Sequence, residues 1–66
     1  MLLKDALKKA IEHHKSGELD KADILYTAIL KRDPLQADAN HNLGSIAVSM
    51  GLHEKALPYF RRAIDK

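Results

Sequence analysis

Residues 16–32 read SGELDKADILYTAILKR, and residues 50–66 read MGLHEKALPYFRRAIDK. The second stretch is the first respelled. Gly17 pairs with Gly51, Lys21 with Lys55, Ala22 with Ala56, Tyr26 with Phe60, Ile29 with Ala63 and Leu30 with Ile64, and the step is 34 positions throughout (51 − 17 = 34). Glycine, small residue, aromatic and aliphatic each recur in register. A period of this size marks a stacked helical array, in which one unit cannot bury its apolar face alone and needs a neighbour.

Working outward from these stretches, the apolar residues before Gly17 fall at Leu3, Ala6, Leu7, Ala10 and Ile11, one stripe of a helix running from Leu2 to about Lys15. Asp5 and Lys9 are placed for an i,i+4 ion pair, and Gly17 closes this helix by adopting positive φ. A second helix is expected over about Leu19 to Lys31, with Ala22, Leu25, Tyr26, Ile29 and Leu30 inward. Asp33-Pro34 stops it, because proline biases the preceding residue away from helical geometry. A third helix over about Gln36 to Met50 carries Ala39, Leu43, Ile46, Ala47 and Met50 on one side, and Gly51 closes it. Gly44 inside that helix costs about 1 kcal/mol against alanine, which close helix approach would explain. A fourth helix over about His53 to Asp65 turns Ala56, Leu57, Phe60, Ala63 and Ile64 inward; Pro58 in its second turn is expected to distort it without breaking it.

At 66 residues the chain can form only one small domain. It has no cysteine, so neither disulfides nor thiolate zinc can supplement a thin core. The net charge of +2 is spread evenly along the chain, which favours neither nucleic acid nor a membrane surface as partner. Only Leu2 and Leu3 separate Met1 from Lys4, too little for a signal peptide, and no apolar run approaches the ~20 residues of a bilayer span. A cytoplasmic location is the resulting expectation.

Residues 37 onward, ADANHNLGSIAVSMGLHEKALPYFRRAI, resemble the tetratricopeptide repeat: Leu43-Gly44 stands for its leucine-glycine pair, Gly51 for its turn glycine, Ala56 for its small residue, Phe60 for its aromatic and Ala63-Ile64 for its closing pair. Upstream, Gly17, Ala22, Tyr26 and Pro34 also fit, and ILYTAILKRDP looks like the end of a bacterial unit. The resemblance covers two units, about 3–36 and 37–66. Lys9 and Ala10 stand where the family has leucine and glycine, which suits a terminal unit. The implied fold is all-α: two antiparallel helical hairpins in a right-handed stack.

The chain carries no sign of catalytic or metal chemistry. His13 and His14 point about 100° apart on their helix, and His41 lies about 10 Å along the axis from the level of His14; no third ligand converges, so no metal or cofactor is expected. Ser16, Ser45 and Ser49 have no acid–base partner at any motif spacing. Lys4, Lys8, Lys9 and Lys15 make the first helix basic, but no aromatic residue is interleaved as in a nucleic-acid surface.

What the resemblance implies is a non-catalytic protein-interaction module whose concave surface, lined by the first helix of each pair, holds an extended peptide or a partner's helix. By alignment that surface presents Lys4, Leu7, Lys8, Ile11, His14 and Lys15 from the first unit and Asp38, His41, Asn42, Ser45 and Ser49 from the second. Asn42 matches an asparagine with which the family often holds a ligand's backbone. Members that clamp a C-terminal carboxylate have lysine and asparagine where this chain has Leu7 and Ile11. A second expectation is self-association. Arrays of this kind need about three repeats or a polar cap, and Leu43, Ala47, Leu57, Phe60, Ala63 and Ile64 belong to the set that would pack on a following helix, so a dimer through that open end is expected. A further alternative is a fragment or designed minimal repeat with no ligand of its own.

Overall fold

A computed structural model describes residues 2–64, which form four helices: α1 (Leu3–Lys15), α2 (Leu19–Arg32), α3 (Ala37–Ser49) and α4 (His53–Ile64). No strand occurs among the described residues. α1 packs on α2, α2 on α3 and α3 on α4, so two helical hairpins are joined through the α2–α3 contact. The boundaries match the sequence pattern to within a residue or so; Asp65, expected to end α4, lies outside the described residues.

Both hairpin turns use the same device. Gly17 has φ +80° and Gly51 φ +77°. At the first turn the Gly17 N–H donates to the His14 carbonyl and the Glu18 N–H to that of His13; at the second, Gly51 donates to Val48 and Leu52 to Ala47. These paired bonds satisfy helix-end carbonyls and require a residue that tolerates left-handed backbone. The junction between the hairpins is built differently. Gln36 caps α3, its Oε1 accepting from the Ala39 N–H at 2.6 Å. Asn40, fully buried, donates from Nδ2 to the carbonyls of Pro34 and Gln36, each at 3.0 Å. Its Oδ1 has no partner among the described residues, but the two donated bonds tie the proline turn to α3.

The core consists mainly of alanines with a few larger side chains between them. Ala6, Ala10, Ala22, Ala39 and Ala56 are buried, and Tyr26, Ile29, Leu43 and Ile46 fill the space they leave. Leu3, Leu7, Ile11, Leu25 and Leu30 pack around this cluster half-buried, as the periodicity predicts. Some details differ from expectation, among them Leu57 and Ile64, expected inward but 62% and 80% exposed. Met50 is 60% exposed: it sits just past the end of α3 and lines an open cleft with Ile46 and Ala47. Asp5 and Lys9 form no ion pair; both are exposed, and holding two hydrated side chains in one geometry costs about what the contact would return. As expected, helix α4 is not broken at Pro58, whose ring lies on an exposed position.

Gly44 is explained by α4. A Cβ built on it would lie 2.7 Å from one atom of the Phe60 ring and 2.9 Å from two others, so the ring occupies the space a side chain would need. Close approach offsets the propensity cost of a mid-helix glycine. Gly44→Leu is expected to lower stability by about 1–3 kcal/mol in urea unfolding, although leucine is the better helix former. Combining it with Phe60→Ala should cost less than the sum of the two single changes, because the clash is then absent.

Candidate protein-interaction site

The first helix of each hairpin carries the residues singled out by alignment, and the structure groups them unequally. Lys4, Leu7, Lys8, Ile11 and Lys15 surround one shallow depression along α1, joined by Glu12. Leu7 and Ile11 are half-buried, so their outer faces form its apolar floor, while the lysines stand exposed around it. Among the described residues no carboxylate lies within ion-pair distance of Lys4, Lys8 or Lys15. Their charge is available to a ligand.

The α3 residues line no part of that depression. Asp38, His41 and Ser49 are exposed, and Asn42 and Ser45 half-buried. The Ser45 hydroxyl donates to the His41 carbonyl at 3.2 Å and the Ser49 hydroxyl to that of Ser45 at 3.1 Å. Each spends its proton on its own helix and can offer a partner only an acceptor oxygen. His41 stands edge-on to Phe60 with ring centroids 5.7 Å apart, which places it above the aromatic seated on Gly44.

Tyr26 links the two first helices from below. Its side chain is fully buried, yet its hydroxyl comes within 3.5 Å of His14 Nδ1 on α1, and the two rings meet edge-on at 6.1 Å. Burial pushes the phenol pKa up from its ordinary value; the neighbouring Asn42 side chain on α3 opposes that shift, and the Asp38 charge adds to it. His14, Tyr26, Asn42 and Asp38 thus bring α1, α2 and α3 together at one point. The other histidines are elsewhere. His13 Nδ1 is 3.0 Å from Glu18 Oε1, Lys21 Nζ is 3.0 Å from Glu18 Oε2, and together these hold the Glu18 carboxyl below its ordinary pKa at the first turn. His53 is exposed at the start of α4.

The proposed open-end set divides. Leu43 and Ala47 are 4% and 7% exposed, and both line a cleft between α2 and α4. Leu57 and Ile64 are 62% and 80% exposed, and Phe60 and Ala63 half-buried. Sequence periodicity also missed the cleft between α2 and α4, lined by Ile46, Ala47, Met50, Leu52 and Tyr59 together with Asp23 and Lys55. The Tyr59 ring lies 5.8 Å under the Arg62 guanidinium.

A glycine under an aromatic ring, a turn glycine at positive φ and a buried alanine between them define the second hairpin. Residues 37–65 match the family model of the tetratricopeptide repeat. This segment is a tetratricopeptide repeat. The match spans α3, its turn and α4, and the first hairpin repeats their order and turn geometry. No curated protein and no solved structure matches the chain. Tetratricopeptide repeats generally mediate protein–protein interaction and do not catalyse reactions. Among the described residues no helix is long and apolar enough to cross a membrane.

The buried phenol supplies a check on this arrangement. A raised folded-state pKa means that the neutral form is favoured by folding, so its contribution is full below the ordinary value of 10.0 and is lost as pH rises through the folded value. In thermal melts, the parent protein should therefore lose stability above pH ~10 more steeply than Tyr26→Phe. At neutral pH the substitution should cost less than about 1.5 kcal/mol, since only a long hydrogen bond is removed.

Proposed function

We propose that the chain is a protein-interaction module that binds an extended peptide or a partner helix across the first helices of its two hairpins. The observation that carries this reading is the depression on α1, where Lys4, Lys8 and Lys15, free of ion pairs within the described structure, border the aliphatic floor of Leu7 and Ile11. A segment with acidic side chains spaced among aliphatic ones complements that surface. On α3, Asn42 offers both a donor and an acceptor to a ligand backbone; Ser45 and Ser49 offer acceptors, and His41 a ring edge. Because both helices are fixed by packing, little of the protein has to be ordered on binding.

A random peptide library selected on the immobilised protein tests the proposal. Enriched peptides should carry acidic residues next to aliphatic ones. Changing Lys8 and Asn42 together to alanine should weaken their binding by about tenfold or more while keeping unfolding stability within about 1 kcal/mol, as expected for surface positions. Binding that ignores the double substitution would place the ligand elsewhere, and a large loss of stability would show that the two residues support the fold instead.

The exposed apolar residues of α4 favour a second reading, self-association. Ile64 is 80% exposed, whereas Leu30, its equivalent on α2 at the 34-residue step, is half-buried; Leu57, 62% exposed, stands near it on the same helix.

A further inference from the structure

We infer that the cleft between α2 and α4 is a second binding site, distinct from the depression on α1. It takes one apolar side chain of a partner protein segment, with a basic residue toward α2 and an acidic residue toward α4. The site lies where the two hairpins meet: Asp23 lines it from α2, Ile46 from α3, and Lys55 and Tyr59 from α4. None of these residues borders the α1 depression, so the inference goes beyond the groove reading and does not rest on it.

Size and lining set the anchor. The cleft is more enclosed than the α1 depression and has a volume of about 200 Å³. An apolar cavity of about 150 Å³ accommodates a benzene ring, so the space suits one leucine, methionine or phenylalanine side chain. Ile46 belongs to the core cluster and is held by it. Met50 and Leu52, 60% and 40% exposed, still have apolar surface to lose to a partner. The unbranched thioether of Met50 adapts to anchors of different shape, and the half-buried Tyr59 ring adds apolar area beside it.

Charge makes the site selective. Asp23 is exposed on α2 and Lys55 on α4. The Thr27 hydroxyl donates to Asp23 Oδ1 at 3.0 Å, which steadies the carboxylate and leaves its other oxygen for a ligand. Among the described residues neither Asp23 nor Lys55 has an ion-pair partner, and the two do not pair with each other. A segment with one sign of charge on both sides of its anchor would be repelled at one of them. A base beside Asp23 and an acid beside Lys55 complement both. The flanks of this ligand therefore cancel in charge, unlike the acidic segment that complements Lys4, Lys8 and Lys15 on α1.

Peptide selection on the immobilised protein tests the cleft separately from the groove. One class of selected peptides should keep its affinity for the Lys8→Ala, Asn42→Ala double variant and lose about tenfold or more with Met50→Glu. Met50 is exposed, so circular dichroism should show unchanged helicity; the charge variants below, at other exposed positions, test the site independently of it. That class should carry an apolar residue between a base and an acid. Selection repeated on Asp23→Lys should give acids on both flanks, and on Lys55→Glu bases on both. If every selected peptide depends on Lys8 and Asn42, or none is selected, the cleft is not a site. Peptides that need Met50 but keep the same flanks in both charge variants would overturn the charge reading. Self-association in sedimentation equilibrium that Met50→Glu abolishes would place a second copy in the cleft and overturn a separate partner. Loss of the Lys8-dependent class alone would overturn the groove and leave this inference standing.

Discussion

The rest of the structure depends on the burial of Tyr26. It is the largest fully buried side chain of the described structure, it belongs to α2, and its hydroxyl meets His14 on α1 while Asn42 and Asp38 approach from α3. A tyrosine can do this because its ring supplies apolar area to the core and its hydroxyl needs a polar neighbour only at the tip. The hairpin–hairpin contact is thereby coupled to packing within the first hairpin. A chain this small hides only about 60% of its unfolded surface, so one ring shared by three helices contributes to each contact at once.

Around that ring the helices can approach because the interfaces are made of alanine and glycine. Ala10 and Gly44 hold equivalent places in α1 and α3, and Tyr26 and Phe60 equivalent places in α2 and α4. In the second hairpin the seat is bare backbone and the Phe60 ring fills the missing side chain's space. The first hairpin has a methyl there, and its aromatic is nevertheless more deeply buried, because α3 covers it. The two halves thus differ in their surroundings more than in their internal design. Surface charge follows the same division: Asp5, Lys9 and Glu12 keep the α1 end hydrated, while α4 leaves aliphatic side chains in solvent.

The groove and the α4 stripe make different demands on a partner. On α1 the apolar floor is bordered by lysines, so a ligand held there would combine modest burial with charge and respond to ionic strength. On α4 the apolar residues Leu57 and Ile64 are themselves the exposed feature, with Glu54 in the first turn and Arg61 and Arg62 in the last. The two surfaces lie on different helices, so one ligand does not have to displace the other.

The repeat register, the four helices and both turn glycines were legible in the sequence alone, because helical periodicity and the need for positive φ are local constraints that each residue type expresses directly. The interaction surfaces were legible only in part. Alignment placed Lys4, Leu7, Lys8, Ile11 and Lys15 on one face, and packing grouped them around one depression. It also assigned Leu43 and Ala47 to an open end; both are little exposed and line the cleft between α2 and α4, and how far a helix flank is covered depends on the angle at which its neighbours cross and not on its own period. Asn40 escaped notice for a related reason: a polar residue inside a helix reads as solvent-facing until the proline turn is seen to bring the Pro34 and Gln36 carbonyls to its amide. Helix, turn and register were determined by the sequence within each segment; which apolar side chains meet protein and which meet water was decided only when the hairpins packed, because burial is a property of neighbours far apart along the chain.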